Sequence, residues 1–279
     1  MNRILLSCVL TLCCGLVSWA QEYSWSSSVV DGHMTGCTTP SKDNVREAIG
    51  FFKGRTYVAP NDRQFASTSS TAKVARIVLD AQPKMARVKD VIAYSPEAMT
   101  KKGPESVLGN WVVDLLMSQG EKIFGKKIDI GVTNRGGIRV DMPEGDVILD
   151  DMLSMFPFKN QLVYLEHKGS TIRRMLEGMI PYNIQVIGGL RIVVEDDKLV
   201  SVTVGGEPLD DDKVYGVVTI SFLLHGGDNL RMADDALTVV SSDVNVIDAV
   251  LDHVHAETAA GRPITYSLDN RVIIRQHHN

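Results

Sequence analysis

Apolar residues recur at helical spacing in some stretches of the chain and alternate in others, and the two periods divide it into elements. Val74, Ile77, Val78 and Ala81 share one face of a helix that starts near Thr71 and is ended or kinked by Pro83. Ser106–Phe124 reads as a longer helix, with Val107, Leu108, Trp111, Val112, Leu115 and Leu116 on its apolar stripe. Shorter helices are predicted at Asp43–Phe52, at Asp150–Met155 and at Ser170–Ile180, the last capped by Gly169 or Ser170. A final helix, Val244–Ala260, is expected to be capped by Asp243 and stopped by Gly261. Strands are predicted at Val88–Tyr94, Lys127–Thr133, Gln161–His167, Val214–Ile220 and Arg271–Arg275. Leu190–Val194 and Leu199–Val204 form a hairpin through the turn Asp196-Asp197-Lys198. Helices and strands alternate irregularly around this hairpin, which predicts an α+β fold: one compact domain with a mixed β-sheet and flanking helices.

The two ends of the chain read differently. Ile4–Val17 is an apolar run behind Arg3, and Ser18-Trp19-Ala20 sets small residues at the −3 and −1 positions before Gln21. Residues 1–20 are therefore expected to be a secretory signal peptide, too short for a membrane span, and the product to be secreted or periplasmic. Of the four cysteines only Cys37 lies beyond that segment, so no intrachain disulfide is expected. Residues 21–70 are read as a polar extension, with Tyr57–Ser70 a connector, and 276–279 as a tail; the domain proper spans 71–275. The net charge of −5 comes without a Lys/Arg-rich run, which argues against a duplex nucleic-acid binder. No GxGxxG or Walker loop is present.

Three glycine-punctuated stretches carry candidate chemistry. Asn134-Arg135-Gly136-Gly137-Ile138-Arg139 follows a strand, where paired glycines admit a ligand close to the backbone and Asn and Arg bind planar or anionic groups. An ordinary strand-end turn has the same composition. Phe156-Pro157-Phe158-Lys159-Asn160 sets aromatic rings beside a proline, suited either to core packing or to stacking. Phe222-Leu223-Leu224-His225-Gly226-Gly227-Asp228 leaves another strand and offers an aromatic ring, two glycines and a carboxylate able to accept two hydroxyl hydrogens.

Taken together, N-x-G-G-I-R, P-F-x-N and F-x-x-x-G-G-D, in this order and spacing and with Leu108-Gly109-Asn110 opening the long helix, resemble the C-terminal domain of the secreted 5'-nucleotidases and related nucleotide hydrolases. The resemblance covers about residues 71–275. It implies that Phe158 and Phe222 sandwich a nucleotide base and that Asp228 binds the ribose hydroxyls. Asn134 and Asn160 would line the base and sugar pocket, with Arg139 facing the phosphate. A phosphate-facing arginine of the family falls here on Lys102, a point charge without a guanidinium's fork.

Catalysis in that family belongs to an N-terminal metallophosphoesterase domain holding two metals. Its G-N-H-[DE] motif has no counterpart here, since Gly109-Asn110 leads to Trp111. Asp31-Gly32-His33 resembles the D-x-H motif, but a polar turn is the favoured reading. No catalytic residue and no metal ligand are therefore expected in this chain, and no cofactor. Divalent metals are expected only in a partner, a separate metallophosphoesterase protein serving nucleotide catabolism. The alternative is a solo extracytoplasmic nucleoside- or nucleotide-binding protein without a catalytic role.

Overall fold

The computed structural model describes residues 41, 43–181 and 184–276. The signal-peptide expectation, Asp31, His33, Cys37 and residues 277–279 of the tail lie outside them. The described chain runs α1 (Val45–Ile49), β1 (Phe51–Lys53), β2 (Thr56–Val58), β3 (Gln64–Ala66), α2 (Ser70–Met85), β4 (Val91–Ser95), α3 (Val107–Phe124), β5 (Ile130–Thr133), β6 (Gly145–Ile148) and α4 (Leu149–Met155). It continues β7 (Gln161–Lys168), α5 (Gly169–Met179), β8 (Val186–Gly188), β9 (Leu190–Glu195), β10 (Lys198–Val204), β11 (Glu207–Pro208), β12 (Val214–Ile220), β13 (Thr238–Asn245), α6 (Val246–Ala259) and β14 (Val272–Arg275).

The architecture is α+β. Its centre is a five-stranded mixed sheet in the order β13-β7-β12-β5-β8, in which β12 and β5 are parallel and the other pairs antiparallel. All four residues of β5 are buried, as is nearly all of β12, as suits strands covered on both faces. Helix α3 lies directly on this sheet. Ser106 caps it, its side chain accepting from the Gly109 N–H at 3.1 Å, and Gly125 ends it at φ 61°. The contact is close because β5 carries Gly131: a Cβ there would come within 2.7 Å of the Val113 and Met117 side chains. A second sheet, β11-β10-β9-β14, contains the expected hairpin, with β14 joining β9 in parallel.

Several elements depart from the sequence reading. Tyr57–Ser70 is not a plain connector. With β1 it makes a three-stranded sheet whose small core joins Tyr57 to Ala72 and Ala75 of α2, with Phe52 and Phe65 packed alongside. Phe51 and Phe52, expected to end a helix, lie in the first strand of that sheet, Phe51–Lys53. Helix α2 continues through Pro83 to Met85. Its covered face is Ala72 and Ala75, so Val74, Ile77 and Val78 point to solvent. Asp243 and Val244 belong to β13, and α6 starts only after Asn245. Neither Gly169 nor Ser170 caps α5: both lie inside it, behind Lys168, which makes no side-chain cap.

Candidate functional site

Topology brings three distant loops together. Strands β5 and β12 are parallel, so their C-terminal ends fall on the same side of the sheet. Strand β7 is antiparallel to β12 with Leu162 opposite Ile220, so its first residues lie at that side too. The Gln161 N–H donates to Ser221 Oγ at 3.1 Å, and the Val246 N–H donates to the Asn160 carbonyl at 2.8 Å. The turn after β5 (Asn134–Arg139), the loop before β7 (Phe156–Asn160) and the turn after β12 (Ser221–Asn229) thus share one edge of the core.

Asn134 is buried, and its Nδ2 donates to Asp228 Oδ2 at 2.7 Å across 94 positions of sequence. Its Oδ1 is buried with no hydrogen-bond partner. Gly137 is packed so tightly on this amide that a Cβ would collide with Oδ1. Asp228 sits at φ 47° and Asn229 at φ 62°, left-handed conformations uncommon for residues other than glycine. The turn that imposes them is anchored by the buried side chains of Leu223, Leu224, Leu230 and Met232.

The two candidate stacking rings are each 46% exposed. Phe156 takes the core position beside Pro157, while Phe158 points outward, so the two phenylalanines divide the packing and stacking readings between them. Arg139 lies with its guanidinium carbon 5.9 Å from the Phe158 ring centroid and donates from Nη1 to the Gly136 carbonyl at 3.2 Å. Gly137, Phe158 and Asn160 line a shallow cleft of about 20 Å³. The Phe222 ring lies against Gly227, where a Cβ would approach two ring carbons to 2.7 Å. Among the described residues Phe158 and Phe222 are not in ring contact with each other.

Lys102 is exposed and its ammonium makes no hydrogen bond or ion pair among the described residues, whereas its neighbour Lys101 is engaged. The Lys101 ammonium bonds the Ile138 and Arg139 carbonyls, the latter at 3.2 Å. Arg135 answers from the other side. Its guanidinium donates to the carbonyls of Lys101 (3.0 Å), Gly103, Pro104 (3.1 Å) and Ile184 (3.0 Å). Burial lowers the Arg135 pKa. This double clamp ties the Lys101–Pro104 loop to the glycine turn. Sequence reasoning missed it, although a cation directly before Gly136-Gly137 was the available signal.

A cleft of about 700 Å³ lies elsewhere, between α3 and the second sheet. Its Asp114 and Asp269 are each paired with Arg271, and its Arg191 donates to the Asp269 carbonyl at 2.9 Å. Two-metal hydrolysis needs a cluster of carboxylates and imidazoles. Among the described residues no three His, Cys, Asp or Glu side chains are grouped to hold a metal ion, so no step through a metal follows from them. No helix among them is long and apolar enough to cross a membrane.

Residues 84–235 match the family model of the 5'-nucleotidase C-terminal domain, and the chain belongs to that family. It is 27% identical over 252 residues to a cell wall protein of Listeria monocytogenes, covering 78% of this chain and 32% of that one. It is 24% identical over 218 residues to the 5'-nucleotidase of Rattus norvegicus, covering 69% and 38%. A crystal structure of a 5'-nucleotidase precursor from Thermus thermophilus superposes with a TM-score of 0.64 at 26% identity, over 73% of this chain and 43% of that one. The chain thus spans about a third of the length of these curated relatives.

Proposed function

We propose, from membership of the 5'-nucleotidase C-terminal domain family, that this chain binds a nucleotide outside the cytoplasm and presents it to a separate metallophosphatase domain for hydrolysis. The base lies between Phe158 and Phe222, where stacking on an aromatic ring is worth roughly 1–3 kcal/mol and tolerates different bases. The ribose hydroxyls bond the Asp228 carboxylate, which keeps acceptor capacity beyond the one bond from Asn134. Asn134 holds that carboxylate in place through Nδ2, Asn160 borders the sugar, and the phosphate extends toward Arg139 and Lys102. An extracytoplasmic setting accords with the expected signal peptide and with a relative named as a cell wall protein.

The observation that carries this reading is the Asn134–Asp228 pair. A buried amide and a carboxylate in left-handed backbone meet from two different strands, with one amide oxygen unpartnered, beside two exposed phenylalanines. Calorimetry of the purified chain with adenosine and AMP is the direct test. Saturable binding of both, AMP the tighter, is expected; no heat with either at millimolar ligand would remove the reading.

Gly137→Ala gives a narrower check. The added methyl must displace the Asn134 amide and with it the bond to Asp228. Hydrogen bonds to charged groups contribute about 1.5–3 kcal/mol, so adenosine affinity should fall roughly tenfold or more. Adenosine affinity equal to the parent's would show that the Asn134–Asp228 pair does not hold the ligand.

A further inference from the structure

Residues 221–233 form one closed loop, and it carries both Phe222 and Asp228. Its outgoing arm leaves β12, and its returning arm leads toward β13. The Met232 N–H donates to the Leu223 carbonyl at 3.0 Å and the Ala233 N–H to the Leu224 carbonyl at 3.1 Å, which closes the loop at its base. Asp228 stands four positions before Met232, in left-handed backbone. The placement of Met232 therefore governs where the tip of the loop, and its carboxylate, can stand.

Met232 is 2% exposed, and its carbonyl faces the Nε2 of His167 at 2.9 Å. A carbonyl only accepts, so this nitrogen carries the proton. His167 belongs to β7 and is buried to the same degree. Burial pushes its pKa below the usual value, against the opposing pull of the Met232 and Asp235 backbone and the Asp235 carboxylate, so the ring is neutral near pH 7. Among the described residues this is the one hydrogen bond from a side chain outside the loop to the loop's backbone. The returning arm also stands off from α5: a cleft of about 290 Å³, lined by His167, Ile172 and Met175, lies between that helix and residues 229–235. Arg174 of α5 meets Asp235, just past the loop, at 2.8 Å, but both side chains are mostly in solvent and such a pair contributes little.

We propose that His167 is a positioning residue: its bond to the Met232 carbonyl fastens the returning arm to β7 and, through that arm, holds the Asp228 carboxylate where the ribose hydroxyls reach it. The second half of this statement rests on the reading of Asp228 as the ribose acceptor. Without the imidazole donor the Met232 carbonyl is left buried and unpaired, which is costly. Water meets it only if the arm opens toward the cleft, and Asp228 moves with the arm.

The test pairs amide hydrogen exchange with calorimetry on the purified chain. His167→Leu should speed exchange of the Met232 and Ala233 amides roughly fivefold or more, while amides in α3 keep the parent's rates. Adenosine affinity should fall by a similar factor, and affinity for 2',3'-dideoxyadenosine, which lacks both hydroxyls, by less than about twofold. His167→Gln, whose amide nitrogen can stand where Nε2 does, should restore both; His167→Asn, one bond shorter, should not. A role in packing alone separates neither Gln from Asn nor adenosine from its dideoxy analogue, and the Gln–Asn pair decides the matter if His167→Leu does not fold. Parent exchange rates in His167→Asn would overturn the proposal, and so would parent adenosine affinity in a variant whose loop exchanges faster. A parent that binds no adenosine would instead remove the nucleotide reading and with it the ribose half of the proposal, while faster exchange in His167→Asn would still support the fastening.

Discussion

Phe158→Ala and Phe222→Ala should each weaken adenosine binding by roughly 1–3 kcal/mol, a loss of about five- to a hundred-fold. Both rings are about half exposed, so neither truncation should lower the melting temperature by more than a degree or two. This separates stacking from core packing, which predicts early melting with binding lost only through unfolding. The double variant should lose less than the sum, because a base freed from one ring is held less well by the other. Asp228→Asn should lower affinity for adenosine while scarcely changing that for the deoxy analogue, since an amide oxygen is a poorer acceptor for two hydroxyls than a carboxylate. Calorimetric titrations beside thermal melts read all of these. Unchanged affinity in folded Phe158→Ala and Phe222→Ala proteins would remove the basis for placing the base there.

How far these residues could be read from the sequence depends on the range of the interactions that position them. Helix α3 was legible because every signal for it is local: a Ser106 cap, an apolar stripe and a Gly125 stop fall within one window. The chain entering β7 was legible for the same reason. Strand β13 was not, because both Val239 and Val240 are substantially exposed at the edge of the sheet and the alternation that marks a half-buried strand is missing. The α2 stripe misled in the opposite direction. Its period correctly gave a helix, but periodicity cannot say which of two apolar faces the rest of the chain covers.

The candidate site was legible as an ordered set of motifs rather than as geometry. Nothing local in Asn134 or Asp228 says that they touch. Their contact follows from the parallel pairing of β5 with β12, a long-range choice that sequence periodicity does not encode. The motif set named the residues proposed to face the ligand but not their supports. The side chains of Arg135 and Lys101 bond only backbone carbonyls, so no partner side chain in the sequence betrays their clamp. Lys102, singled out by the family resemblance, projects into solvent from the loop that this pair of clamps holds, and it is the neighbouring cation that fixes the loop.

The largest loss of stability is expected from Arg271→Met. The Arg271 side chain is 8% exposed and forms a two-pronged pair with Asp114 at 2.8 and 2.9 Å, while its Nε and Nη2 reach Asp269 at 2.9 and 2.8 Å. Tyr266 donates its hydroxyl to Asp114, and Glu105 accepts the Asp269 N–H at 2.9 Å, so the network bolts the chain leading into β14 onto α3. Removing one partner of a buried pair typically costs about 3–5 kcal/mol. Asp114 and Asp269 retain some contact with water, which places the expected cost near 3 kcal/mol, or roughly 6–12 °C of melting temperature at this size. The pH dependence should change as well. Hydrogen bonding from Arg271 is the main cause holding the Asp269 carboxyl below its usual value. A carboxylate with a depressed native pKa adds stability above its unfolded pKa of about 4, and that stability is lost as pH falls through the native value. Tyr266 acts at the other end: burial and the bond to Asp114 push its hydroxyl up to about 12, so its contribution is complete below its unfolded pKa of about 10 and disappears as pH rises through 12. The parent should therefore lose stability as pH falls below about 4, in part through Asp269, and Arg271→Met should show a shallower acid limb from a lower plateau. Thermal melts across that range measure both. A variant melting within two degrees of the parent, with the same acid limb, would mean that the network does not hold β14 in place.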